Sequence, residues 1–123
     1  SICHGWFAEV CSLQGDLVSA KHHADISVAR ETAGDCFGQL PALRALAHIA
    51  LRQGQADAAR ALLDRALATA ERWGAHPDRG ISYLRAAELD EASPSAFELR
   101  TRAVEIFENC EMAWWRERAV VAA

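Results

Sequence analysis

Apolar residues recur along most of this chain at intervals of three and four. Leu43, Leu46, Ile49, Ala50 and Leu51 form one stripe at helical spacing, and Ala59, Leu62, Leu63, Ala66, Leu67 and Ala70 form the next. Between them stands Gly54, in "RQGQAD". Glycine takes a positive φ without side-chain cost, so Gly54 predicts a tight turn that ends one helix and reverses the chain into another. Alternation of period two is nowhere sustained, and the pattern predicts an all-α fold.

The same layout occurs earlier, around Gly15. Seven residues before each glycine lies an alanine, Ala8 or Ala47. Five residues after it lies another, Ala20 or Ala59, and twelve after it a further small residue, Ser27 or Ala66. The copies are offset by 39 residues, and a weaker third copy lies 37 further on, with Ala96 and Ala103 at the matching small positions. Its corner lacks glycine; Ser93 is instead the expected N-cap, with Pro94 at the first helical position. Helices that cross closely need small residues where their axes meet. The pattern predicts helices near 2–14, 17–33, 40–53, 55–73, 79–91, 94–108 and 112–121. Gly34-Asp35 would end the second and the stretch from Gly74 to Asp78 the fourth, with residues 36–39 as a connector and Pro41 in the first turn of the third.

Self-similarity at such a period points to a helical repeat array, and the spacing resembles the tetratricopeptide repeat family. That family places large, large, small and large residues on a first helix, then small, large and small on a second. Here those positions hold His4, Phe7, Ala8, Cys11, Ala20, Ala24 and Ser27, then Leu43, Leu46, Ala47, Ala50, Ala59, Leu63 and Ala66, and last Gly80, Tyr83, Leu84, Ala87, Ala96, Arg100 and Ala103. The middle copy matches best; the repeat-ending proline is missing. The resemblance implies one domain over 1–123, a right-handed superhelix of antiparallel helix pairs with repeats near 2–34, 40–74 and 79–109, capped by a helix at 112–121.

Arg44, His48 and Arg52 share one helical face at i, i+4 and i+8. In the family, that face of each first helix lines a concave groove. By position the resemblance assigns it Gly5, Glu9, Ser12 and Leu13, then Arg44, His48, Leu51 and Arg52, then Ile81, Arg85, Glu88 and Leu89. The polar candidates for partner binding are therefore Glu9, Ser12, Arg44, His48, Arg52, Arg85 and Glu88. Arginine suits carboxylates and phosphates, so a locally basic groove and a protein or peptide partner with acidic groups are expected. The lysine–asparagine arrangement by which chaperone-binding members grip a C-terminal carboxylate is absent.

The net charge of −4 argues against nucleic acid as the main partner. No apolar run approaches the length of a membrane span and no signal peptide is visible, which points to the cytoplasm. The widely spaced Cys3, Cys11, Cys36 and Cys110 read as free thiols. In "AKHHAD", adjacent histidines diverge by about 100° on a helix and chelate one metal poorly together. Cys3 and His4 would reach that site only across the helix pair, so these histidines read as solvated side chains and no metal or other cofactor is expected. No catalytic set stands out.

The ending "FENCEMAWW" is similar to a Phe-x-x-x-Gly-Met-x-Trp-Trp ending in the repeat regions of large bacterial regulators, transcription activators of the LuxR or signal-transduction ATPase type or some nucleotide-cyclase signalling proteins. Here Glu111 stands in place of the glycine. The resemblance implies a non-catalytic, partner-sensing scaffold, a piece of a longer regulator, with Trp114 and Trp115 capping the array or facing a partner. A helical enzyme or metal protein using the His and Cys residues is the rival reading, and self-association through the repeat ends a further one.

Overall fold

The computed structural model describes residues 2–29 and 36–121. They form seven helices and, among the described residues, no strand: α1 (Ile2–Leu13), α2 (Leu17–Ala29), α3 (Cys36–Arg52), α4 (Ala56–Trp73), α5 (His76–Leu89), α6 (Pro94–Asn109) and α7 (Ala113–Val121). The fold is all-α. No helix among the described residues is long and apolar enough to cross a membrane.

One backbone device closes four of the helices. At Gly15, Gly54 and Gly74 the chain takes positive φ, at 86°, 75° and 65°. In each case the next amide reaches back five residues: Asp16 to the Cys11 carbonyl, Gln55 to Ala50 and Ala75 to Ala70, all at 2.8–2.9 Å. The glycine amide itself bonds the carbonyl three residues back. This paired closure satisfies carbonyls that a helix end would otherwise leave bare. The fourth instance, after α6, uses Glu111 at φ 57°, the described non-glycine residue in this region, with Met112 N–H bonding the Phe107 carbonyl at 2.8 Å.

Small residues let the helices approach. Ala8, Ala20 and Ser27 are completely buried, as are Ala59, Ala66 and Ala103, while Ala47 and Ala96 are nearly so. Ala8, Ala24, Ala42 and Ala45 pack together between α1, α2 and α3. Ala47, Ala50, Ala59, Leu63 and Ala86 continue the core through α3, α4 and α5. Ile81, Leu84, Ala103, Phe107 and Ala119 extend it to α7. Each helix packs on its successor, and α1 and α5 each also pack on α3.

The elements differ from the sequence expectation in three places. α3 starts at Cys36, so residues 36–39 are helical rather than a connector, and Pro41 lies inside the helix. Burial explains this, since Gly38, Gln39, Leu40 and Pro41 are all shielded from water and Leu40 packs with Ala70 and Ala75. α5 starts at His76 rather than 79, with Pro77 in its first turn, where a missing N–H costs nothing. Gly5, assigned to the groove wall, is buried at the crossing of α1 and α3. A Cβ there would fall 2.0 Å from the Gly38 carbonyl oxygen. The expected helix end at Gly34-Asp35 lies outside the described residues.

Candidate functional site

The first, third and fifth helices are joined by a buried ion triad. Arg44 on α3 donates through Nε to Glu9 Oε2 at 2.6 Å and through Nη2 to Glu9 Oε1 at 3.1 Å. Its Nη1 donates to Asp78 Oδ1 on α5 at 3.0 Å. The Arg44 side chain is 1% exposed and that of Glu9 7%. Burial opposes charge on Arg44, but Glu9 and Asp78 together outweigh it and hold the guanidinium more firmly protonated than a free one. Trp6 covers it, with the guanidinium carbon 5.5 Å from the ring centroid.

Trp6 also belongs to a groove of about 810 Å³. From α1 it is lined by Trp6, Glu9, Val10 and Leu13, and from α5 by Leu84, Arg85 and Glu88. α7 adds Trp114, Trp115, Glu117 and Arg118. Trp115 is anchored on Phe107, with centroids 5.9 Å apart, and Trp114 meets it edge-on at 5.0 Å. The Arg118 guanidinium carbon lies over Trp114, 4.0 Å from its centroid. Arg85 sits 5.8 Å from the Trp115 ring and donates to both oxygens of Glu88, at 3.1 and 3.3 Å.

A much smaller recess of about 40 Å³ adjoins this lining, sharing Arg85 and Glu88 with it and adding Arg44, Ala47, His48, Leu51, Leu63 and Leu89. His48 is pushed below the ordinary histidine range by burial, and further by the neighbouring Arg52 and Arg85, so it sits there as a neutral imidazole.

The structure therefore gathers most of the polar residues assigned to the groove. Glu9, Arg85 and Glu88 line the main groove, and Arg44 and His48 the recess. Ser12 turns inward, fully buried, and donates its hydroxyl to the Glu9 carbonyl at 2.8 Å. Arg52 is exposed at the end of α3. The expected basic middle is neutralised, because Arg44 is held by two carboxylates and Arg85 by one. Of the apolar residues assigned with them, Leu13 lines the main groove and Leu51 and Leu89 the recess, whereas Trp6 and Val10 were not assigned. Trp6, Val10 and Leu13 follow one another at i, i+4 and i+7 on α1, and this stripe reads equally as core until the fold leaves all three exposed.

Chemically, the groove is a surface for desolvating apolar side chains. Trp6 and Trp114 are 40% and 57% exposed within it, and its two arginines, Arg85 and Arg118, each lie over an indole ring. Among the described residues no set of three His, Cys, Asp or Glu side chains gathers as a metal centre. No protein-family model, curated protein sequence or solved structure matches this chain.

Proposed function

We propose that this chain is a partner-binding scaffold, a right-handed superhelical array of tetratricopeptide-like helix pairs whose groove takes a segment of another protein. The observation that carries the reading is the groove of about 810 Å³ with Trp6 and Trp114 exposed in it. Two exposed indoles on a rigid helical frame supply large contact area at low ordering cost, as binding hot spots do. The array reading is supported by burial of Ala8, Ala20, Ser27, Ala47, Ala59, Ala66, Ala96 and Ala103, the small residues at positions where the repeat pattern calls for one, and by the packing of α3 on both α1 and α5. The partner presents apolar side chains to the indoles, and the exposed Arg118 of the lining is a cation for its acidic groups.

The wider setting we propose is the sensing region of a cytoplasmic bacterial transcription regulator. Its support is the ending from Phe107 to Trp115. Where the related pattern has glycine, Glu111 adopts the left-handed conformation that glycine provides.

Peptides selected from a random library on the immobilised chain test the groove. Bound peptides should lose at least about tenfold in affinity on Trp6→Ala and on Trp114→Ala. They should keep it on Phe97→Ala, which removes an exposed ring that lines a different cleft. Selected peptides that ignore both tryptophan variants, or a selection that enriches nothing, would overturn the assignment.

A further inference from the structure

Two clusters of polar side chains lie outside the groove lining. Between α1 and α2, Nδ1 of His4 and Nδ1 of His23 stand 2.9 Å apart and bond each other, so the expectation of separately solvated histidines is corrected for this pair. The second cluster, between α5 and α6, is not closed in the same way. Arg79 and Tyr83 stand at i and i+4 on α5, and Arg102 approaches the same ring from α6. The two guanidinium carbons are 5.6 and 5.8 Å from the Tyr83 ring centroid. Burial opposes ionisation of the phenol, but the hydrogen bonds it receives from Arg102 and Arg79, and their charges, outweigh burial and hold it below the ordinary tyrosine range.

The charges around this oxygen do not balance. Glu98 Oε1 accepts from Arg102 at 2.8 Å. Arg79 forms no ion pair among the described residues, and its Nε is buried without an acceptor. Two cations and one carboxylate therefore surround one neutral oxygen and leave an excess of positive charge. With both arginines donating to it, the phenol keeps its own proton to donate. Two guanidinium forks and a hydroxyl proton suit an anion with at least three acceptor oxygens and more than one charge. A carboxylate, with two oxygens and a single charge, would leave part of this donor set unanswered. We propose that Arg79, Tyr83 and Arg102 form a binding site for a phosphate monoester. The dianion supplies to Arg79 the counter-charge that Glu98 supplies to Arg102. None of the three residues lines the groove, so the site stands whatever the groove binds.

Tyr83 is the single tyrosine of the chain, so phenolate absorbance reports on this site alone. An anion held between the guanidinium groups disfavours the phenolate. Methyl phosphate at about 20 mM should therefore move the midpoint of the alkaline titration upward by at least about 0.3 pH, compared with sodium chloride of equal ionic strength. At about pH 8, where the ester is a dianion, calorimetric titration at low salt should give a Kd of about 0.1–2 mM. Arg79→Gln and Arg102→Gln should each weaken that binding at least about fivefold, and Tyr83→Phe about threefold. Arg72→Gln, which removes an exposed cation from α4, should leave it unchanged. Dimethyl phosphate, a monoanion with two esterified oxygens, should bind at least about fivefold more weakly than methyl phosphate. Should an arginine variant fail to fold, the phenolate titration of the unaltered chain decides alone. No saturable binding, binding that survives both arginine variants, dimethyl phosphate bound as tightly as methyl phosphate, or a midpoint that methyl phosphate moves no further than chloride does would each overturn the site.

Discussion

Glu111 carries a cost that its three counterparts avoid. The same helix closure occurs at Gly15, Gly54 and Gly74, where positive φ is free of side-chain penalty, yet after α6 a glutamate holds φ at 57°. A side chain in this region costs on the order of 1 kcal/mol. Glu111→Gly should therefore stabilise the chain by about 0.5–1 kcal/mol, offset in part by the greater freedom of glycine in the unfolded state, and urea unfolding would show it. Gly54→Ala should move stability the other way by a similar amount, since a Cβ there meets nothing within 4 Å and only the backbone objects. A destabilised Glu111→Gly would mean that its carboxylate does something the backbone argument omits. His48 is the second residue whose environment has a measurable consequence. Its folded pKa lies below the ordinary 6.5 because burial, then Arg52 and Arg85, disfavour the imidazolium. Well above 6.5 both folded and unfolded chains hold it neutral and it has no effect. As pH falls through 6.5 the unfolded chain takes up a proton that the folded chain refuses, so stability drops until the lower folded pKa is passed. The loss in unfolding free energy between about pH 7.5 and about pH 5.5 should accordingly be smaller in His48→Gln than in the unaltered chain. An equal or larger loss would count against the neutral imidazole.

Helix α3 shows where an element's limits are set by packing rather than by local signals. Proline at a helix start is a strong punctuation mark, and Pro41 placed there shortened the expected helix by a turn. In the fold, the turn before it is held by contacts distant in sequence: Gly38 against Gly5 of α1, and Leu40 against Ala70 and Ala75. Burial of those residues outweighs the hydrogen bond that Pro41 cannot donate to Phe37. Leu40→Ala should then cost about 2–4 kcal/mol in urea unfolding, as for a core leucine, whereas a connector residue would cost less than about 0.5 kcal/mol. The helices and corners were legible because apolar stripes and turn glycines are local. The small contact residues were legible because they recur at fixed distances from each corner. What stayed illegible depends on more than one helix. Gly80 occupies a position where the repeat pattern wants a large residue, and only the fold shows that the Phe107 ring takes that space, 2.6 Å from where a Cβ would lie. Whether Trp114 is covered or open was equally hidden, and Trp6 was not singled out at all, since an indole on an apolar stripe has the same signature in both cases.

At the scale of the molecule, the Glu9–Arg44–Asp78 triad decides how three helices are held relative to one another, and so the shape of the groove above it. Sequence spacing made Arg44 a surface cation for a partner; two carboxylates brought in from α1 and α5 make it an internal tie. Reversing its charge would set a third carboxylate beside the buried Glu9 and the partly buried Asp78, so Arg44→Glu should unfold the region rather than report on binding. A cleaner dissection uses neutral replacements. Arg44→Met leaves Glu9 buried beside Asp78 with no counter-charge, and removing one partner of such a pair costs about 3–5 kcal/mol. Glu9→Gln retains one acceptor and leaves Asp78 to balance Arg44, so its cost should be smaller, about 1–3 kcal/mol. The double variant removes both ends of the bidentate contact, and apolar or neutral substitutes of similar volume often cost little. The cycle should therefore close with a favourable coupling of about 1.5–3 kcal/mol, the double variant being more stable than the sum of the singles predicts. Additive costs would mean that the bidentate geometry contributes nothing beyond two separate burials, and the triad would then be filler between α1 and α3. Coupling of the expected size, with groove binding weakened in Arg44→Met and partly restored in the double variant, would show that the tie sets the spacing of Trp6 against the α5 wall.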